Sequence, residues 1–394
     1  MSPSERFTQL TALLRQYEPY WRPSPFVYPT PAWCSENMAL AEACLQLPED
    51  MPAALEADPN ALQQWLQAQL PGLQALNDLL ALPAASVATV TLPAHWSVDI
   101  PGRKWQQIVA FATLTPAHQG PLLDWCSGKS HLGRTLAQQR QLPLVAVERD
   151  AVLCREGDEQ ARAAGVRAEF ICADVLQAPP VLPADAQVLA LHACGDLHRS
   201  LLRQLAAHPV RQLVLAPCCY HLWLRADYAP LSAAAQKDDL RLDRNSVQLA
   251  VQEAVTSSPR VRKQTATLAA WRLGFDALQR QLRGVDEYLN TPSLPQSVLA
   301  EGFEAVCRRI AKHKQLALPD GIDWQHYQTL GEQRYARAQK LQVVRHGFRR
   351  AIELWLVLDL ALYLEQLGYA VELQPFCDRQ LTPRNLLIRA QKSQ

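Results

Sequence analysis

Three short stretches hold the side chains from which a reaction could be built. The first, DWCSGKSHLGR from Asp124 to Arg134, sets a carboxylate before a turn of small residues that runs into Gly-Lys-Ser. A phosphate-gripping loop of that ending needs glycine at the position Leu123 occupies, so that successive N–H groups can wrap the phosphates. A branched side chain there blocks the close backbone approach. Nucleotide hydrolysis is therefore the weaker reading, and Lys129 is expected to be a solvated loop residue. The second stretch, LHACGDLHRSLL, carries His192 and Asp196; the third, APCCYHLW, carries Cys218, Cys219, Tyr220 and His221. Asp196 and His221 are a carboxylate and an imidazole that could orient an acceptor or take its proton. Their bland alternatives are a helix cap and an ordinary loop histidine. Cys218 and Cys219 invite a nucleophile polarised by His221, or a pair of metal ligands. Two adjacent thiols fall short of a tetrahedral set and no CxxC pair occurs, so no metal is expected. The thiols are expected to be small buried walls of an acceptor pocket.

These stretches can meet only if the chain brings their ends to one edge. From residue 120 to 220, PLLDW, LPLVAVE, AEFICAD, QVLALHA and RQLVLAP alternate with helical segments such as RDAVLCREGDEQARAAG. Continuous apolar runs alternating with helices predict a parallel sheet covered on both faces, a doubly wound α/β fold. Ligands of such folds bind beyond the carboxyl ends of the strands. Asp124 then follows the first strand, Glu148 ends the second and Asp174 ends the third. Glu148 is placed for ribose hydroxyls, and Asp174 for an adenine amino group. His192 is grouped with these by position; lying inside an apolar run, it is expected to be structural.

The first hundred residues read as short helices broken by prolines, with PYWRPSPFVYPTPAW an ordered, extended wrap. After residue 221 helical character continues to residue 345. RHGFRRAIELWLVLDLALYLEQLG then reads as one apolar-faced helix ended by Gly368, and YAVELQPF and NLLIRA as two last strands joined by a turn. The expected organisation is a helical N-terminal region (1–100), a core (101–221), a basic helical insertion (222–345) and a core completed by residues 346–394. A seven-stranded sheet results.

An acid after strand one, a glycine turn, Glu148 and Asp174 together resemble the class I S-adenosylmethionine-dependent methyltransferases. Their DxGxGxG motif has Cys126, Gly128 and Ser130 at its glycine positions here. LHACGDL and Cys-Cys-Tyr further resemble a methyltransferase family with LHxCGDL after strand four and Cys-Cys-Tyr after strand five. Related wording occurs in the eukaryotic tRNA ribose methyltransferases and in the glutathione-S-transferase C-terminal-domain-containing protein. The resemblance covers roughly 101–221 and 346–394, including GRKWQQI and TPRNLLI. It leaves out the first 90 residues, where the tRNA enzymes carry a zinc-binding region. It implies a Rossmann-like methyltransferase with S-adenosylmethionine as donor, held by Asp124, Cys126, Gly128, Glu148, Asp174 and His192. Cys218, Cys219 and Tyr220 would line the acceptor pocket, and Asp196 and His221 would act on the acceptor. Protein and small-molecule acceptors stay open, as does a non-catalytic cofactor- or RNA-binding module.

Composition bounds the partners. The chain has 394 residues, 48% of them hydrophobic, and reads as a cytoplasmic protein without a membrane span or signal peptide. Ten cysteines without paired spacing suggest reduced thiols. The net charge of +1 hides a contrast: residues 1–100 hold 3 Lys+Arg against 10 Asp+Glu, and residues 260–350 hold 16 against 8. RNA is the favoured partner of the basic stretch, with Arg260, Arg262, Lys263, Arg308, Arg309, Lys312 and Lys314 meeting phosphates and Trp271, Phe275 and Phe303 offering stacking faces.

Overall fold

The computed structural model describes residues 1–83, 90–252 and 258–392. Its strands are β1 (Leu122–Trp125), β2 (Leu144–Glu148), β3 (Ala168–Cys172), β4 (Gln187–Cys194), β5 (Gln212–Cys218), β6 (Tyr369–Pro375) and β7 (Leu386–Lys392). They form one seven-stranded sheet in the order β3-β2-β1-β4-β5-β7-β6. β1 to β5 are parallel and β7 runs antiparallel between β5 and β6. The Rossmann-like fold expected from the alternation is the one observed. β1 and β5 are buried along their whole length because helices cover both faces of a parallel sheet. Leu122, Phe111, Leu136, Leu189 and Leu387 meet in the core on one face. Burying each such side chain stabilises the fold by about 2 kcal/mol.

Packing divides the chain into two units that cut across sequence order. One comprises residues 1–15, 75–253 and 349–394; the other, residues 16–74 and 254–348. The boundary at 348/349 divides the stretch read as one helix: Trp324–His346 ends before Gly347, and Arg349–Gln366 begins anew. Gly368 follows with φ +79°, the left-handed residue expected past that helix.

The first unit contains the sheet. Thr11 and Phe7 of helix Pro3–Gln16 pack on Trp355, whose indole N–H donates to Thr11 Oγ1 at 2.9 Å.

In the second unit the proline-rich stretch is ordered, but as short helical turns rather than an extended wrap: Glu18–Trp21 and Trp33–Glu36 bury their tryptophans. Trp271, Phe275 and Phe303, expected as stacking faces, form a core with Val306, Ile310 and Tyr327 and are withdrawn from solvent. Helix Pro259–Arg283 has apolar residues on the side that packs, which is why its aromatics go inward. The charge contrast also closes within this unit. Residues 16–74 hold one basic and seven acidic side chains and residues 254–348 hold fourteen and eight, so the unit is neutral. Among the described residues no helix is long and apolar enough to cross a membrane.

Candidate active site at the carboxyl ends of the strands

The loop after β1 adopts the turn of a glycine-rich motif without its glycines. Cys126, Gly128 and Ser130 have φ of 55°, 58° and 51°, so all three motif positions are left-handed. Such a conformation costs a residue with a Cβ about 1–2 kcal/mol. It persists because the neighbours hold it. Ser130 Oγ donates to Asp124 Oδ2 at 2.7 Å, the Gly133 N–H donates to the same oxygen at 3.0 Å, and the Gly128 N–H donates to Glu148 Oε2 at 2.9 Å. A Cβ on Gly128 would meet open space, so the loop leaves a cradle there. Asp124, expected among the cofactor ligands, is 3% exposed and is occupied in tying the loop to the next helix. Burial raises its carboxyl to about 6, against the lowering effect of the Ser130 and Gly133 bonds. Lys129 pairs with Glu156 at 2.5 Å on the surface, away from any phosphate role.

Glu148 Oε1 accepts from the N–H groups of Arg149 and Asp150 at 2.8 and 2.9 Å. Three backbone donors fix the carboxylate and leave about one of its four lone-pair positions open. Glu148 lines one cleft with Asp174, Val175, Leu197, Cys126 and Trp223. Asp174 Oδ1 accepts from the Leu176 N–H at 3.0 Å. A carboxylate toward the β2 end, a second beside β3 and apolar walls between them fit a nucleoside.

The β4 and β5 turns interlock. The Gly195 N–H donates to Cys218 O at 3.0 Å and the Asp196 N–H to Leu222 O at 3.1 Å. Gly195 has φ +57°, and a Cβ there would lie 2.0 Å from Leu222 O. Only glycine fits. Asp196 opens helix Asp196–Ala207, and its carboxylate binds Arg199 at 3.0 Å and Arg203 at 3.1 Å. The register of β4 shifts between Leu191 and Cys194, and His192, with φ +69°, sits at that irregularity within the strand. His192 is therefore exposed at the rim rather than buried within an apolar run, because the bulge breaks the alternation there.

Cys219, with φ +45°, reverses the chain after β5. One consequence is that Tyr220, expected at the acceptor, points back into the core. It is 1% exposed and donates to Pro217 O at 3.3 Å and Glu353 Oε1 at 3.4 Å. Cys218 is buried and Cys219 half-buried. The neighbouring Cys194 and Cys218 thiols lower the Cys219 pKa, burial opposes them, and the nearby Arg384 charge lowers it further. His221 is pushed down by burial, and its Nδ1 is buried with no hydrogen-bond partner among the described residues.

Three residues that sequence reading did not single out join this edge. Lys104, in GRKWQQI, has its amine lowered by burial and lies near Asp124. Trp223 is 45% exposed and stacks on Arg149 at 5.2 Å. Arg384, in TPRNLLI, lies close enough to lower Cys219, and its Nε and Nη1 are buried with no partner among the described residues. The two stretches quoted above held Lys104 and Arg384, but a cation in a turn or first helical turn looks like a solvated one.

Residues 103–225 match the family model described as a methyltransferase domain. The chain carries a methyltransferase domain. The left-handed loop, Glu148 and Asp174 offer the backbone room and carboxylates that a nucleoside-bearing methyl donor needs. No curated protein matches the chain. Solved structures similar to it include the 23S rRNA methyltransferase ErmE, at 19% identity over 28% of this chain and 44% of that one, TM-score 0.24. Another is TYW2 of P. horikoshii with MeSAdo, at 15% over 29% and 43%, TM-score 0.25. An RNA methyltransferase from Salinibacter ruber with S-adenosyl-L-homocysteine matches at 17% over 36% and 86%, TM-score 0.25. The matched part spans less than half of the first two chains.

Proposed function

We propose that this chain is an S-adenosylmethionine-dependent methyltransferase of the LHxCGDL and Cys-Cys-Tyr family, acting on RNA. The donor supplies a methyl group already activated by its sulfonium. The protein's part is to hold the acceptor atom in line and to manage any proton it carries. Glu148 and Asp174 hold the nucleoside half, Gly128 gives the backbone room to approach, and Asp124 holds the loop's shape. The Cys126 and His192 side chains border the donor.

At the acceptor edge His221 is the group suited to take or orient a proton, since its pKa is lowered and Nδ1 lacks a partner. Asp196, engaged by two arginines, contributes by fixing the turn that presents its neighbours. Cys218 and Cys219 form the wall behind.

The observation that carries the RNA acceptor is Arg384. Asn385 is pinned by its own donation to Cys377 O at 2.7 Å and by Arg350 at 3.0 Å, which fixes the turn that presents Arg384. A half-buried guanidinium whose Nε and Nη1 lack a partner among the described residues suits a phosphate, whose oxygens accept in the same plane. The other unit, taken by itself, presents Arg260, Arg262 and Lys263 as exposed cations with no ion pair among the described residues. By contrast, Arg308 and Arg309 are matched by Glu304 and Glu301.

The test is incubation with methyl-labelled donor and separated cellular RNA and protein. Label should enter RNA, and Arg384→Ala should lower kcat/KM for RNA by about 10–100-fold, the worth of a charge-assisted bond, with donor affinity within about twofold of wild type. Label in protein alone overturns the RNA acceptor; label in neither fraction overturns turnover.

A further inference from the structure

The two interlocked turns bring three sulfurs together that sequence spacing keeps apart. β4 and β5 pair in parallel with Cys194 opposite Cys218, and their Sγ atoms are 3.4 Å apart. The left-handed backbone of Cys219 swings the next thiol back toward that pair, so that the three Sγ atoms lie within 4.8 Å of one another. Four-coordinate zinc with sulfur at about 2.3 Å places neighbouring sulfurs about 3.8 Å apart. The three thiols thus already span one face of such a tetrahedron, within a small side-chain adjustment.

We propose that Cys194, Cys218 and Cys219 form a binding site for one zinc ion, clamping the β4 and β5 turns beside the acceptor edge. Several features of the place support a metal over three idle core thiols. Thiols are weak hydrogen-bond donors and acceptors, so three facing one another satisfy each other poorly. Two of them, Cys194 and Cys219, are half-buried, which gives an ion a route in. The backbone that aims them is strained at Cys219 and is tied by the Gly195–Cys218 and Asp196–Leu222 bonds, so the sulfurs converge on a rigid frame. Three protein ligands with a fourth position taken by water or substrate is a known zinc arrangement. Zinc would replace the thiol protons and release them to solvent.

This inference is independent of which acceptor is methylated. The experiment uses the full chain, reduced and stripped with a chelator, then titrated with zinc or with cobalt(II) as a coloured stand-in. One ion per chain is expected, with the intense sulfur-to-cobalt absorption of thiolate ligation. Affinity should fall at least tenfold in Cys194→Ser, and the cobalt absorption should vanish in the Cys194→Ser, Cys218→Ser, Cys219→Ser protein. A second readout needs no variant: in wild type, zinc should slow alkylation of Cys194 and Cys219, followed by peptide mass, while exposed Cys172 reacts unchanged. Binding below half an ion per chain at micromolar zinc would overturn the site. So would a cobalt spectrum unaltered in the triple variant, or isolation of the reduced-handled protein with a Cys194–Cys218 disulfide.

Discussion

The two ends of the same sheet are built on opposite terms. At the amino ends the polar groups are satisfied. Gln187 is fully buried, yet its Nε2 donates to Gln212 Oε1 at 2.7 Å and Pro116 O at 3.0 Å, and its Oε1 accepts from Arg140 at 3.1 Å. Arg140 also donates to the Thr115 carbonyl at 2.7 Å. At the carboxyl ends the account stays open: Cys126, Ser130, His192, Cys219 and Trp223 are left-handed without being glycine, and Arg384 and His221 hold buried nitrogens without partners. A larger hollow lies at the amino edge, lined by His118, Asp185 and Arg211. Size alone would choose that end. Strain and unmatched donors choose the other, because a fold tolerates such costs where a ligand or a reaction requires them.

Substitutions at each end separate the two kinds of construction. Gly195→Ala combines a left-handed backbone with a carbonyl 2.0 Å from the new Cβ. Denaturant unfolding should show a loss of about 3–4 kcal/mol, together with loss of methyl transfer; a loss under about 1 kcal/mol would mean that the two turns are not locked together. Gln187→Ala, at the quiet end, leaves Arg140 and Gln212 short of a partner. It should cost about 2 kcal/mol of stability while donor affinity measured by calorimetry stays within about twofold. A large change in donor affinity there would erase the contrast between the ends. Cys126→Gly removes strain and should raise stability by about 0.5–1 kcal/mol, the left-handed penalty less the entropy glycine adds to the unfolded chain. A drop in melting temperature would show that the Cys126 side chain, rather than the turn, is what the loop retains.

Much of this edge can be read from the chain because its strands are central. β1, β2, β4 and β5 are covered on both faces, so they appear as unbroken apolar runs, and whatever follows each run must lie at one edge. That logic placed Glu148, Asp174 and the Cys-Cys turn. It could not show that Cys194 meets Cys218, because the register shift after Leu191 sets that pairing and no local pattern encodes it. Tyr220 was misplaced for a similar reason: the left-handed Cys219 reverses the alternation by one residue. The charge contrast along the chain is not a contrast between the two units. The acidic helices of 16–74 and the basic ones of 254–348 fold into one neutral unit, and only packing reveals the cancellation.

The most direct test of the central claim is calorimetric titration of the full chain with S-adenosylhomocysteine, the demethylated donor, compared with ATP and with the Glu148→Ala protein. One site per chain should be seen for the donor product and none for ATP. Glu148→Ala should weaken that site by about 1–3 kcal/mol, since the carboxylate both positions Gly128 and offers its remaining lone pair to the ribose. Wild-type affinity in Glu148→Ala, or tight binding of ATP, would contradict a donor site at the carboxyl ends of β1 and β2.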